Sequence, residues 1–152
     1  FFRDEGAPIR TEEGVAALDE AIVDVKAARP APALSTSLGL ALAARDQVVD
    51  EGPTGAVGHR GTDGSNSFDR ISRHGTSAGR SGEVIDYGWD DAKSIVVDLL
   101  IDDGIANRGH RTAILRGEYA QAGVACGPHA RFHVMCVVEM AQRFTDAAMA
   151  SR

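Results

Sequence analysis

The last third of the chain constrains the fold most. Between residues 131 and 144, Phe132, Val134, Cys136, Val138 and Met140 recur at every second position, the period of a half-buried strand. Residues 119–126 read as a second strand-type run, and Gly127-Pro128 supply turn chemistry between the two. A hairpin alone is marginal in water, so this one needs other elements packed on it.

The preceding chain offers helices for that purpose. Residues 11–28 are predicted as a helix with Thr11 as N-cap, an apolar stripe of Val15, Leu18, Ile22 and Val25, and a stop at Pro30 and Pro32. A second helix is predicted over 37–51, with Leu38, Leu42 and Val49 on one side and an end at Gly52-Pro53. A short helical piece covers Ser67–Arg73, carrying Phe68 and Ile71, and stops at Gly75. Glu83–Tyr87 reads as a short strand. Asp90 or Asp91 caps a third long helix with Ile95, Val96, Leu99 and Leu100 as its stripe, ended by Gly104, and Thr112–Leu115 makes one further turn. Helices first and a hairpin last predict an α/β layered domain with one sheet covered by helices.

Composition sharpens this picture. The chain has 152 residues, with 24 alanines and 17 glycines and only 5% aromatics. That length suits a single domain, 1–152, with its core at about 15–144, and no linker or repeat divides it. A core of small side chains predicts helices lying close on the sheet. The net charge of −6 argues against nucleic acid, whose affinity comes from phosphate neutralisation. No apolar run approaches the ~20 residues of a membrane span.

A repeated tripeptide carries the chemistry. Gly58-His59-Arg60 and Gly109-His110-Arg111 each sit in a glycine-bounded loop beside a helical piece. Two loop histidines from distant segments can form a split metal or acid/base site. The plain alternative is two surface histidines in polar loops. Glu83 and the Asp102-Asp103 pair add carboxylates, and two histidines with one or two acids make a set that zinc accepts. Acids at a helix C-terminus oppose the helix dipole, so Asp102-Asp103 call for a reason. His129 and His133 are expected to be exposed at the hairpin turn. Arg70, Arg73, Arg80 and His74 form a local basic patch beside the His59 loop, or a solvated face. Cys126 and Cys136 fall opposite each other if the hairpin folds about residue 131, which would allow a disulfide; two buried thiols are the alternative.

In this order, the motifs resemble the CAP superfamily of cysteine-rich secretory, antigen 5 and pathogenesis-related proteins, and most of all its bacterial SCP-like branch. The resemblance rests on Gly58–Gly64, on Gly82-Glu83-Val84-Ile85 with Tyr87-Gly88, on Arg108–Arg111 through Ile114-Leu115, and on Ala122–Cys126 with Cys136-Val137-Val138. It implies a three-layer α-β-α sandwich around a central, mostly antiparallel sheet. It also implies a cleft with two histidines and two acids that binds a divalent metal ion such as zinc through His59, His110, Glu83 and, as the second acid, Asp103. Val84 stands where the family has Asn. Arg60 and Arg111 are weaker candidates for ligand binding. The implied protein is a secreted or periplasmic monomer, its signal peptide removed, that binds a small molecule, lipid or protein. Lipid or sterol capture is one alternative. Metal-dependent hydrolysis, with Glu83 as general base and Arg60 or Arg111 at an oxyanion, is another.

Overall fold

A computed structural model describes residues 2–4, 7–9 and 11–147. The remaining positions of the expected 1–152 domain lie outside the described residues. In chain order the elements are β1 (Phe2–Asp4), β2 (Ala7–Ile9), α1 (Val15–Ala27), β3 (Ser35–Thr36), α2 (Leu38–Glu51), α3 (Ser67–His74), β4 (Gly75–Tyr87), α4 (Ala92–Ile101), α5 (Gly109–Ile114), β5 (Gln121–His129) and β6 (His133–Asp146). Strands β1 and β2 pair with each other, while the main sheet runs β3-β5-β6-β4. All its pairings are antiparallel except β3 with β5.

Helices cover both faces of this sheet, as the expected α-β-α sandwich requires. On one face Leu40, Ala43, Ile71, Ala141 and Phe144 pack together, next to Ala44, Val48, Ile85, Met135 and Val137. On the other, Val84, Ile95, Leu99, Tyr119, Cys136 and Met140 form one cluster. The central strand β6 is therefore buried on both sides, and apolar residues at both parities are core residues.

The small-residue expectation holds in a specific way. Gly39, Leu40, Ala43, Ala44, Gln47 and Val48 make the buried side of α2, and its backbone lies directly on β5. A Cβ at Gly123 would collide with the Ala41 amide nitrogen and the Leu40 carbonyl carbon. Only glycine permits so close a helix–strand approach there.

Several local expectations are corrected. The predicted stripes of α1 and α2 face outward: Val15, Ile22, Val25, Leu38 and Val49 are exposed, whereas Ala17 and Ala21 bury α1. Alanines let the helices approach, so the short side chains occupy the interface and the large ones do not. Thr11 is not the α1 cap, which is Gly14 at φ 67°. Asp91, one of the two expected caps, does cap α4, and Ser37 caps α2. The strand expected only at Glu83–Tyr87 already begins at Gly75, because the Gly/Ser/Arg segment before it pairs along β6 with a register shift between Ala78 and Ser81. Gly127 and Pro128 lie inside β5; the hairpin turns at 130–132, and Cys126 pairs with Cys136 as a disulfide.

Candidate functional site

The first tripeptide lies in a loop as expected, whereas Gly109-His110-Arg111 is not a loop but the first turn of α5; both open onto one cleft of about 640 Å³, lined by His59, His110, Tyr87 and Phe132 among others. Its first wall is set by what holds the His59 loop. The Gly58 N–H donates to the Tyr87 hydroxyl at 2.9 Å, and Gln47 Nε2 donates to the Gly58 carbonyl at 3.0 Å. The His59 ring then meets Glu83 on β4, with Nδ1 2.8 Å from Oε1. That bond raises the His59 pKa, outweighing the opposite effect of burial.

Glu83 is itself committed. Its other oxygen accepts from Arg70 Nη2 at 2.7 Å, and both side chains are 2% exposed. Burial works to raise the Glu83 pKa, but the hydrogen bonds from His59 and Arg70 prevail and hold the carboxyl below its usual range. Beside it, Glu139 of β6 accepts from Ser67 Oγ at 2.7 Å and is fully buried. Burial, then the Glu83 charge, pushes Glu139 up to about 9. Glu51 is raised by burial too and accepts from the Tyr87 hydroxyl at 3.1 Å.

The second wall repeats the pattern. Asp102 ends α4 in the left-handed conformation at φ 56°, which turns its carboxylate toward the start of α5. There it accepts from the His110 and Arg111 amides and meets His110 Nδ1 at 2.8 Å. An acid out of place at one helix's end is well placed at the next helix's beginning. Each histidine therefore has Nδ1 tied to a carboxylate side chain at most 2% exposed, leaving Nε2 as the ring atom turned from it. The two ring centroids are 6.3 Å apart.

Other expected site residues lie elsewhere in the arrangement. Asp103 lines the cleft, yet its oxygens accept from the Glu12 and Glu13 amides at 2.7 and 2.9 Å. Arg60 is exposed and outside the cleft lining. Arg111 is not a ligand-facing group: it is 1% exposed and donates to the Leu100, Ile101 and Ala17 carbonyls and to Asp24. His129 is buried, not exposed; its Nε2 donates to the Ala56 carbonyl and its Nδ1 accepts from the Arg131 and Phe132 amides, which pins the hairpin turn. The basic patch dissolves into ion pairs: Arg70 with Glu83, Arg73 with Asp63, Arg80 with Glu118, and His74 with Asp46. Sequence reasoning missed the buried partners Glu139, Glu51 and Arg70 and the cleft acid Asp86. Glu139 had one available signal, a charge in the middle of an otherwise apolar strand.

A divalent ion would be held by the two Nε2 atoms. Carboxylates on the far ring nitrogens fit this use, since metal-bound histidines ordinarily donate their other N–H to such partners. Two imidazoles sharing a tetrahedral zinc at ~2.0–2.1 Å per bond have centroids about 5 Å apart, so the 6.3 Å pair needs to close by roughly 1 Å. Among the described residues, no group of three or more His, Cys, Asp or Glu is arranged to hold a metal. Water would have to complete the coordination.

A sandwich with this strand order and a paired-histidine cleft defines the class of protein. The profile of the cysteine-rich secretory protein (CAP) family matches residues 4–140, and the chain belongs to that family. Among solved structures, the chain is similar to an outer surface protein from Borrelia burgdorferi, with a TM-score of 0.63 and 18% identity over 91% of this chain and 98% of that one. It is also similar to an extracellular protein containing an SCP domain from Bacillus anthracis, with a TM-score of 0.60 and 15% identity over 91% of this chain and 45% of that one. At these identities the likeness is one of fold. No curated protein sequence matches the chain.

Proposed function

We propose that the protein is an extracytoplasmic binding module whose cleft takes a divalent ion, zinc in particular, at Nε2 of His59 and of His110. The observation that carries this reading is the matched pair of buried carboxylates, Glu83 and Asp102, on the two Nδ1 atoms. They select the tautomer that leaves Nε2 free to ligate and orient both rings. Glu83 acts through His59 rather than on the ion, because its oxygens already serve His59 and Arg70. Asp103 likewise serves the backbone ahead of α1. The disulfide and the family support a location outside the reducing cytoplasm, and among the described residues no helix is long and apolar enough to cross a membrane.

The alternatives have less support. A hydrolase would lack a free base at Glu83, and an acyl chain or sterol would meet the Asp86, Asp98, Asp102 and Asp103 carboxyls that line the cleft. Zinc titration by calorimetry tests the proposal against a His59→Ala, His110→Ala double variant. Saturable heat in the parent that the variant loses is expected; equal heats would overturn the reading.

A further inference from the structure

The cleft holds a second acidic feature that the histidines do not use. Asp86 of β4 faces α4 and is 2% exposed, yet neither of its oxygens accepts a well-formed hydrogen bond from a described residue. Its neighbour is the Asp98 carboxyl of α4, another acceptor. The Trp89 backbone also lies close to Asp86, but no contact reaches good hydrogen-bond geometry, and a buried carboxyl so poorly satisfied favours a partner that brings donors and positive charge. Burial, then the nearby Asp98 charge, pushes Asp86 up to about 7, so the pair retains a proton where a cation would otherwise sit.

The surroundings narrow the class of cation. A hard metal ion wants about six oxygen ligands, and Asp102 and Asp103, the other aspartates of the cleft, are engaged with His110 and with backbone amides. An ammonium group needs only three acceptors at a compact centre, which two carboxyls supply. The cleft lining also offers apolar groups: Val57 and Ile105 are 51% and 41% exposed, and Phe132 sits at the hairpin turn with Arg131 over its outer face.

We propose that Asp86 and Asp98 form a seat for the primary ammonium group of an organic cation, whose hydrocarbon part lies along Val57, Ile105 and Phe132. The exposed Asp98 moves off Asp86 to admit it. This site uses none of the residues of the zinc proposal and stands or falls separately.

Trp89 is the only tryptophan and lies beside Asp98, so its fluorescence reads the seat. The full chain is titrated with pentylammonium chloride, with 1-pentanol as the neutral isostere and sodium chloride at matched ionic strength. Expected is a saturable Trp89 response to pentylammonium alone, weakened about tenfold by Asp86→Asn, which removes one charge-assisted partner. The His59→Ala, His110→Ala double variant is expected to keep that response, whatever its behaviour toward zinc. No saturable response, an equal one to pentanol, or one that Asp86→Asn retains would overturn the proposal. So would saturation by calcium chloride without any response to pentylammonium, which would assign the pair to a metal. Should Asp86→Asn fail to fold, Asp98→Asn on the helix surface takes its place with the same expected loss.

Discussion

Glu83 and Glu139 stand directly opposite each other on β4 and β6, two carboxyls in a dry space with Arg70 as their buried cation. One cation cannot neutralise two adjacent buried anions, so one carboxyl keeps its proton. Arg70 and His59 both bind Glu83, which makes Glu83 the ionised member and Glu139 the protonated one.

This assignment has a consequence for stability against pH. Glu139 holds a proton in the folded state up to about 9, whereas the unfolded chain releases it near 4.5. Between those values the folded state binds more protons, so stability falls as pH rises, by up to ~1.4 kcal/mol per unit from this group. Asp86 acts in the same direction from 3.8 up to about 7. Thermal melts of Glu139→Gln, which imitates the protonated acid, are expected to match the parent at about pH 5 and exceed it by several degrees at about pH 8.5. An equal shift at both pH values would contradict the protonated assignment.

Asp102 and Asp103 are neighbours with separate tasks, and substitution separates them. Asp102→Asn removes the charge that fixes His110 Nδ1 and is expected to weaken zinc binding roughly 10- to 100-fold. Asp103→Asn loosens the backbone at Glu12 and Glu13 and is expected to leave zinc affinity within about twofold while lowering Tm. Calorimetric Kd values for the two variants decide; a comparable loss in Asp103→Asn would return Asp103 to the ligand set.

The two arginines of the repeated tripeptide are expected to behave as opposites. Arg111 joins α1, α4 and α5 through three carbonyls and Asp24, so Arg111→Ala should cost about 3–5 kcal/mol. Arg60 is exposed, and Arg60→Ala should stay within ~0.5 kcal/mol. Chemical denaturation of both variants measures the contrast.

Gly123→Ala tests the close contact between α2 and β5. One methyl would strike helix backbone, which cannot swing aside as a side chain can. Several kcal/mol of destabilisation are expected, at or beyond the upper end of ordinary overpacking, read as a large drop in Tm. The exposed β5 neighbour Val124, as Val124→Ala, is expected to cost less than ~1 kcal/mol.

How much was legible follows from which signals are local. The hairpin, the cap Asp91 and the short helix around Phe68 could be read because alternation, capping and glycine boundaries act over a few residues, and the turn expected at Thr112–Leu115 is the latter part of α5. A turn near 131 puts Cys126 opposite Cys136 and leaves a disulfide or two thiols open, and the structure has the disulfide. The large apolar side chains of α1 and α2 do not mark their buried faces, because Ala17, Ala21, Ala43 and Ala44 are what a close-lying helix can bury. The strand at 75–82 was illegible for a related reason: Gly-Thr-Ser-Ala-Gly-Arg-Ser-Gly has weak strand propensity, and only the ladder to β6 makes it one.

By itself, then, the sequence determined the layered class, the family motifs and the two histidines, all carried by short-range patterns. Which acid serves which histidine was decided by tertiary structure. Glu83 reaches His59 because β4 runs beneath that loop, and Asp102 rather than Asp103 reaches His110 because a left-handed residue turns the chain between α4 and α5. The proton on Glu139 and the burial of Asp86 beside Asp98 were decided there too. Burial and the distance to a neighbouring charge set a carboxyl's state, and both belong to the packed chain.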